Sequence, residues 1–244
     1  MRLKDKVAII TGAASGLGRA TALRLTQEGA RLVLADLDEA GGEETVRLVQ
    51  AAGGQAVFVR TDVRRWADAE RLAQAALDTY AAGIDILING AGVLRPGQVV
   101  DCLEEDWDLT LDVNLKGTFL CCKAVLPSML QQHSGTIINV SSSAALRPSP
   151  DYPAYTAAKM AVMGFTQALA AEVNKDKITA ITIRPGVIET PLGVQGFVAR
   201  RGREPNAEER SHMLKVEDVA GVICHLVDPE MARTTSAVVD VIVP

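Results

Sequence analysis

The chain has little of what several classes of protein require. Its 244 residues include four cysteines without a CxxC spacing, too few for a disulfide framework, and three scattered histidines without partners at metal-ligand spacing. Aromatic residues make up only 4%, and no run approaches the ~18 apolar residues of a membrane-spanning helix. The 25 Lys and Arg against 30 Asp and Glu leave no basic surplus for nucleic acid. We therefore expect no metal, no nucleic-acid partner and no membrane partner.

What the chain does have is enough apolar material for one large core. Hydrophobic residues make up 48% and charged residues 23%, as in ordinary soluble proteins, and the length suits one α/β domain. Residues 1–6 lead directly into an apolar segment and leave no room for a signal peptide. We expect a cytoplasmic protein.

Short apolar runs alternate with segments of helical periodicity from end to end. Near-continuous apolar strands are typical of a parallel sheet that is covered on both faces. We predict a single α/β domain over 1–244, a doubly wound, seven-stranded parallel sheet of Rossmann type with helices on both faces. The predicted strands are 7–10, 31–35, 57–59, 84–88, 136–140, 178–183 and 237–242. The clearest predicted helices are 19–28, 39–52 and 67–80.

Residues 191–211 break this alternation with several glycines and a proline. We predict an irregular insertion there and interpret it as a substrate lid, because long irregular segments in compact folds are usually lids or mobile loops. It carries Arg200, Arg201 and Arg203, which could meet an anionic substrate. Nearby glutamates nearly balance these charges, so a solvated charge run is the alternative.

A glycine-rich turn follows the first predicted strand and opens a predicted helix. Segment 11–18 reads TGAASGLG, with Gly12, Gly16 and Gly18. Such glycines let a pyrophosphate approach the backbone, and the helix N-terminus supplies free N–H groups. Glycine also serves ordinary turns, but the position between strand and helix favours dinucleotide binding.

Asp36 ends the second predicted strand, 18 residues beyond Gly18. An acidic residue at about this spacing accepts hydrogen bonds from the adenosine ribose of NAD. The alternative is a helix-capping aspartate, a role that Asp38 also fits. The carboxyl end of a strand, where ligands of open α/β sheets bind, favours the cofactor role for Asp36.

Tyr155 and Lys159 share one face of a predicted helix at the spacing i, i+4. A nearby ammonium favours the phenolate and so lowers the pKa of a tyrosine from about 10. Such pairs are also common on solvated helices. Ser142, just past the fifth predicted strand, could bind a substrate carbonyl, although it could equally be a turn serine like Ser141 or Ser143.

Taken together, these segments resemble the classical short-chain dehydrogenase/reductase family over nearly the full length. Segment 11–18 matches the family's TGxxxGxG turn, and 89–92 its NNAG motif with Gly90 in place of the second Asn. The resemblance implies a catalytic tetrad of Asn114, Ser142, Tyr155 and Lys159. In it Tyr155 is the general acid/base, Lys159 lowers the pKa of Tyr155 and holds the nicotinamide ribose, and Ser142 polarises the carbonyl. Asn114 holds a water in a proton relay.

The resemblance also implies which residues contact the cofactor and the substrate. Ser142 and Tyr155 are the substrate-binding residues, and residues 62–63 resemble the family's adenine-contacting pair. The implied cofactor contacts are Gly12, Ser15, Gly16, Leu17, Gly18, Asp36, Asp62, Val63, Asn89, Ala91, Gly92, Tyr155, Lys159, Pro185, Gly186, Ile188 and Thr190. The expected pocket residues are Leu94, Ala144, Arg147, Tyr152 and Val187, with the lid.

The leading interpretation is an oxidoreductase that transfers a hydride between NAD(H) and the carbinol or carbonyl carbon of a small or medium alcohol or ketone. One alternative is a 3-oxoacyl-thioester reductase; family members with that activity usually prefer NADPH, which Asp36 disfavours. Another is a catalytically silent cofactor-sensing protein. The C-terminus departs from the VDGG ending that is frequent in the family. Ala145 stands where many members of the family have a glycine. We expect a homo-oligomer, a tetramer or a dimer.

Overall fold

The strands of the protein form a single parallel sheet. The computed structural model describes residues 1–230 and 237–242. Within them, seven strands lie in the order β3-β2-β1-β4-β5-β6-β7, and each neighbouring pair is parallel, as predicted. The strands are β1 Val7–Thr11, β2 Arg31–Asp36, β3 Gln55–Arg60, β4 Ile86–Asn89, β5 Gly135–Val140, β6 Ile178–Pro185 and β7 Val238–Val241.

Helices connect the strands and cover both faces of the sheet in one domain. A π-helix, Asp112–Lys116, joins α4 to α5, and short 3-10 turns, Ser143–Ala145 and Asn174–Asp176, flank α6. The α-helices are α1 Gly16–Gln27, α2 Glu39–Ala51, α3 Trp66–Tyr80, α4 Glu104–Leu111, α5 Gly117–Gln132, α6 Pro153–Val173, α7 Pro191–Arg201, α8 Ala207–Ser211 and α9 Val216–Leu226.

Alternating side chains of each strand supply two separate cores. In β1, Ala8 and Ile10 face α1, α2 and α9, whereas Val7 and Ile9 face α3, α5 and α6. All four are buried because a parallel strand between two helical layers has no solvent-facing side. This is why the strands read as continuous apolar runs.

Three sequence predictions about element bounds are corrected by the structure. Helix α1 begins at Gly16, three residues before the predicted start, so it includes the last residues of the glycine-rich turn. Strand β4 begins at Ile86 rather than at 84. Residues 191–211 are not an irregular insertion: α7 and α8 occupy most of the segment. Thr190 caps α7 and Asn206 caps α8. Gly193 and Gly196 lie inside α7, and Gly202 lies just past its C-terminal end.

The order of the strands places a crevice between β1 and β4. The chain leaves β1 for β2 and β3 on one side, then returns to β4 on the other side of β1. The turns after these two neighbours therefore diverge at their carboxyl ends, where open α/β sheets bind ligands. The glycine-rich turn and segment 89–92 lie on opposite sides of this crevice.

Among the described residues, no helix is both long enough and apolar enough to cross a membrane. Nor does any group of three or more His, Cys, Asp or Glu side chains within 1–230 and 237–242 have an arrangement that could hold a metal ion. Residues 243–244 of the unusual C-terminus lie outside the described residues.

Candidate active site

A cleft of about 920 Å³ runs along the carboxyl edge of the sheet and collects most of the predicted site residues. Ser142, Tyr155 and Lys159 line it together with all predicted cofactor residues except Asn89. The lining cofactor residues are Gly12, Ser15, Gly16, Leu17, Gly18, Asp36, Asp62, Val63, Ala91, Gly92, Pro185, Gly186, Ile188 and Thr190.

The glycine-rich turn is shaped so that its backbone is open to a ligand. Gly12 and Gly16 have φ values of 72° and 47°, in the region that side chains disfavour. A Cβ on Gly18 would lie 2.1 Å from the Gly12 carbonyl oxygen, so α1 could not pack against the turn with any larger residue there. The free N–H groups at the start of α1 meet this open backbone, an arrangement suited to the pyrophosphate of a dinucleotide.

The turn after β1 also touches the segment after β4, backbone to backbone. A Cβ on Gly12 would lie 2.8 Å from the Ala91 nitrogen, and the Thr11 hydroxyl accepts hydrogen bonds from the N–H groups of Gly90 and Ala91, both at 3.2 Å. The sequence did not point to Thr11. Its hydroxyl holds together the two segments that border the crevice.

Asn89 lies beneath the cleft and, unlike the other predicted cofactor residues, does not line it. It is 4% exposed, and its Nδ2 donates to Asn139 Oδ1 at 2.8 Å and to Cys122 Sγ at 3.3 Å. Asn139 in turn donates to the Thr166 hydroxyl at 2.9 Å. This buried polar chain ties β4, β5, α5 and α6 together under the site.

At the end of the cleft beside β2, where the resemblance implies the adenosine and which we call the adenosine end, Asp36 keeps free acceptor capacity. Its two carboxylate oxygens accept one hydrogen bond each, from the N–H groups of Ala14 at 2.9 Å and Asp38 at 3.1 Å. A carboxylate offers about four lone-pair sites, so about two are left for ribose hydroxyls. Asp38 caps α2 by accepting from the Gly41 N–H at 3.1 Å, which is the capping role weighed for these aspartates.

The nearest arginine of α1 is committed to structure. The Arg19 guanidinium donates to the Thr45 hydroxyl at 3.0 Å, to the Gly41 carbonyl at 3.2 Å and to the Ala14 carbonyl. These bonds fasten the glycine-rich turn to α2. Arg19 does not line the cleft.

Asp62 and Val63 form the opposite wall of the adenosine end, following β3. The Asp62 carboxylate is held by Arg64, with Nε–Oδ1 at 2.8 Å and Nη2–Oδ2 at 2.6 Å, and these bonds keep the pKa of Asp62 below its usual range. Val63 packs against the start of α5, where a Cβ on Gly117 would lie 2.7 Å from it. The aspartate is therefore ionised and fixed in place.

Lys159 is anchored in a buried position beneath the centre of the cleft. It is 4% exposed, and its Nζ donates to the Val140 carbonyl at 2.8 Å. The Ser141 hydroxyl donates to the Lys159 carbonyl at 2.7 Å, which fastens that turn of α6 to the end of β5. Sequence reasoning missed both partners, since a backbone carbonyl has no sequence signature and Ser141 resembled an ordinary turn serine.

Burial sets the protonation of the two central groups. It lowers the pKa of Lys159 from 10.5 to about 8 and raises the pKa of Tyr155 to about 12, while a hydrogen bond with Ser142 acts to lower the pKa of the phenol. The ammonium lies 5.6 Å from the centre of the Tyr155 ring. In this structure desolvation outweighs the lowering of the Tyr155 pKa that the resemblance implied for Lys159.

Asn114 sits in the π-helix with one side-chain atom unused. It is fully buried, and its Nδ2 donates to the carbonyls of Val93 and Thr110, both at 2.8 Å, while its Oδ1 has no hydrogen-bond partner among the described residues. A Cβ on Gly92 would lie 2.9 Å from that oxygen and 3.7 Å from Lys159 Nζ. The π-helix thus presents an acceptor close to the lysine, without lining the cleft itself.

The substrate half of the cleft has apolar walls. Leu94, Ala144, Tyr152 and Tyr155 form a small buried cluster, and the rings of the two tyrosines meet edge to face at 6.0 Å. Leu192 and Ala199 of α7 pack against this cluster. All five expected pocket residues line the cleft, as do Arg200 and other residues of α7.

The segment after β6 closes the nicotinamide side. Thr190 caps α7 by accepting from the Gly193 N–H at 3.1 Å, and its methyl group would be 3.2 Å from a Cβ on Gly16. The Gly186 N–H donates to the Val241 carbonyl at 2.8 Å, which ties this segment to β7. The two ends of the cofactor groove are therefore held by different strands.

The parallel sheet, the glycine-rich turn after β1 and the cleft at its carboxyl edge are features of a dinucleotide-binding fold. Residues 6–197 match the family model described as short chain dehydrogenase, and the chain belongs to that family. It is accordingly an enzyme of the oxidoreductase type that works with a nicotinamide cofactor.

Particular relatives extend over nearly the whole chain. The (2S)-((R)-hydroxy(phenyl)methyl)succinyl-CoA dehydrogenase subunit BbsD of Thauera aromatica is 35% identical and covers 98% of this chain and 95% of its own length. The 3-oxoacyl-(acyl-carrier-protein) reductase FabG of Thermotoga maritima is 34% identical, covering 99% and 98%. The crystal structure of levodione reductase superimposes with a TM-score of 0.92 at 29% identity, covering 98% and 96%.

Because the charged Lys159 is buried, replacing it with an apolar residue should increase the free energy of unfolding. The size of this increase should depend on pH. Below pH 8 both folded and unfolded chains are protonated, and the folded chain bears the desolvation cost. As the pH rises from about 8 towards 10.5 the folded state loses its proton first and that cost disappears. The stability of Lys159→Met relative to wild type should fall by about 2–3 kcal/mol between pH 7 and pH 10.

Urea unfolding at the two pH values measures this difference. Lys175→Met removes an exposed lysine and controls for the change in net charge. A Lys159→Met difference that does not vary with pH would contradict the assignment of a depressed lysine pKa.

Proposed function

We propose that the protein is an NAD-dependent dehydrogenase or reductase that acts on the carbinol or carbonyl carbon of a small or medium alcohol or ketone. One observation carries this proposal: Tyr155, its hydrogen-bond partner Ser142 and the buried Lys159 converge at the centre of the cleft. The arrangement matches a proton-transfer site beside a hydride path. The complete tetrad argues against a silent cofactor sensor.

The residues present fit a nicotinamide dinucleotide. The open glycine turn would bind the pyrophosphate, and Asp36 would bind the adenosine ribose. Asp62 and Val63 would contact the adenine. Segment 185–190 and Lys159 would contact the nicotinamide side. The cofactor, when bound, supplies or accepts the hydride. The chain orients the cofactor and the substrate and supplies the proton.

Tyr155 is the residue that moves the proton. In reduction its phenol donates to the substrate oxygen as that oxygen gains charge, and in oxidation its phenolate accepts the alcohol proton. Ser142 donates a hydrogen bond to the same oxygen. The Lys159 ammonium stabilises the phenolate, and the free Oδ1 of Asn114 holds a water that returns the proton to solvent.

A second candidate is supported by the names of two relatives, which are a thioester dehydrogenase and a 3-oxoacyl thioester reductase. A 3-oxoacyl thioester could enter the same apolar half of the cleft. This candidate would be favoured if turnover with NADPH and a 3-oxoacyl thioester exceeded that with NAD and every alcohol in a panel of alcohols, sugars, polyols and hydroxysteroids.

Tyr155→Phe should remove nearly all turnover and leave NADH binding intact. General acid/base catalysis contributes about 10²–10⁴-fold, and the ring itself stays in place. Oxidation should accelerate from about pH 6 to about pH 10, because it requires the phenolate. Steady-state kinetics and NADH fluorescence measure the two effects.

Tyr152→Phe is the matched control, since its ring packs in the same cluster without a lysine one helical turn later. It should keep most of the activity. Near wild-type turnover of Tyr155→Phe, or a flat pH profile, would overturn the role of Tyr155.

Asp36 should give at least about a ten-fold preference for NAD in kcat/KM. The 2′-phosphate of NADP offers acceptors where the carboxylate needs donors, and at an effective dielectric near 20 the like charges repel by about 4 kcal/mol at 4 Å before screening. Arg19 is committed to carbonyls and a hydroxyl, so it does not neutralise the phosphate. Asp36→Ala should reduce the preference for NAD over NADP, chiefly by weakening the binding of NAD.

Asp38→Ala is the control, because Asp38 carries the same charge two residues away and only caps α2. It should leave the cofactor ratio unchanged. A wild-type preference for NADP would contradict the role assigned to Asp36.

Residues 191–211 act as a lid in this proposal. Helix α7 covers the apolar cluster through Leu192 and Ala199, and binding of cofactor and substrate should hold it there and exclude water. Tryptic cleavage after Arg200, Arg201 or Arg203 should then slow when both ligands are present. Cleavage after Lys175, outside the cleft, should not change, and equal rates at the lid with and without ligands would refute the closure.

A cytoplasmic homo-oligomer, a tetramer or a dimer, completes the proposal. Phe119 on α5 and Met160 on α6 expose 43% and 44% of their surface, and a second copy of the chain would cover them. Light scattering after size-exclusion chromatography should give the mass of a dimer or tetramer, and a monomer would be the contrary result.

A further inference from the structure

Two arginines face the substrate half of the cleft without a counter-charge. Arg147, which follows the turn that carries Ser142, and Arg200, near the end of α7, both line the cleft and are exposed. Within residues 1–230 and 237–242, neither guanidinium has a hydrogen bond or an ion pair. The two come from different parts of the chain, and the fold places both on the lining of one cleft.

Three other cations of the same region are paired, whereas Arg201 is unpaired in the described chain but does not line the cleft. Arg203 binds Glu209 at 2.7 Å, and Arg210 binds Glu204 at 3.1 Å. The remaining acid beside the cleft, Glu189, binds Lys215 at 2.6 Å. These three acids are occupied by other cations, and Arg147 and Arg200, which line the cleft, remain available to a ligand.

The cleft is divided by charge although the protein as a whole is acidic, with a formal charge of −5. The acidic side chains that line it, Asp36 and Asp62, both lie at the adenosine end. The substrate half has Arg95, Arg147 and Arg200 with His212, and of the arginines only Arg95 is paired, with Asp106 at 3.3 Å. An anion entering this half meets attraction and no opposing carboxylate from the lining residues.

The apolar cluster lies between the reacting group and these arginines. Tyr155 belongs to the cluster, and Ala199, which packs against it, directly precedes Arg200. A ligand that reaches from Tyr155 to the opening therefore passes along Leu94, Ala144 and Tyr152 before it meets the guanidinium groups. Along the cleft a proton donor is followed by an apolar wall and then by two unpaired arginines.

We infer that the substrate carries an anionic group, a carboxylate or a phosphate, joined by a short apolar segment to the carbon that exchanges the hydride, and that Arg147 and Arg200 bind this group. The inference rests on the proposed function for the position of the reacting carbon. The inference extends the proposed function by naming the substrate class. Guanidinium groups suit both anions because they offer two parallel donors.

Binding of inert probes tests the inference without turnover. Calorimetry compares straight-chain carboxylates of about four to eight carbons with the amides of equal length, added to the enzyme that holds NADH, or NADPH if NADH does not bind. At least one carboxylate should bind about ten-fold more tightly than its amide, since a hydrogen bond to a charged group is worth that much. Alkyl phosphates of the same lengths distinguish phosphate from carboxylate as the preferred anion.

Arg147→Gln and Arg200→Gln should each reduce this preference about ten-fold, and the double variant should abolish it. Arg201→Gln is the matched control: Arg201 is exposed on the same helix and adjacent in sequence, but it does not line the cleft. It should leave the preference unchanged.

Turnover of 3-hydroxy acids and their amides supplies the second readout. The acid should be preferred through KM, and the two glutamine variants should lose that preference, whereas Arg201→Gln should keep it. Equal binding of carboxylate, phosphate and amide, or a preference that survives in the double variant, would overturn the inference. Loss of all hydride transfer with the anion preference intact would instead overturn the proposed function.

Discussion

The contact between the turn after β1 and the segment after β4 is the constraint on which the site depends. Both are backbone surfaces, and Gly12 has no room for a side chain against Ala91. The parallel order of the sheet makes β1 and β4 neighbours, and Thr11 bonds the two segments together. Because this junction is rigid, the glycine turn, Asp36 and the central residues have fixed positions relative to one another.

The second requirement is a buried cation near a phenol. Lys159 is held by Val140 and Ser141 inside a region from which water is largely removed, and this desolvation favours the neutral amine as much as it favours the neutral phenol of Tyr155. The protein tolerates a costly buried charge at the point where a proton must move. Strongly perturbed groups that face a cleft are typical of functional sites.

Charge divides the cleft into two halves of different chemistry. The adenosine end has carboxylates that suit hydroxyl groups, whereas the substrate end has arginines, two of them unpaired in the described chain, that suit an anion. The apolar cluster that contains Tyr152 and Tyr155 packs against Leu192 and Ala199 of α7. One sheet edge thus presents three chemically distinct surfaces in a row.

The sequence by itself determined the class of fold and the chemistry of most site residues. Continuous apolar strands have few alternatives to a buried parallel sheet, and glycines between a strand and a helix, an acid after β2 and a Tyr–Lys pair at helical spacing each have a local physical meaning. These patterns depend on neighbours in the chain, so they can be read without coordinates. The same holds for the resemblance that linked them.

Only the tertiary structure decided how those residues are held and which of them share a surface. The partners of Lys159 and Asn114 are largely backbone carbonyls, which every residue has, and the buried place of Asn89 follows from long-range packing against Asn139. Helical pattern in residues 191–211 was hidden by glycines that the helix tolerates. The unpaired state of Arg147 and Arg200 depends on which acids other cations occupy, and such competition between distant residues has no local signature.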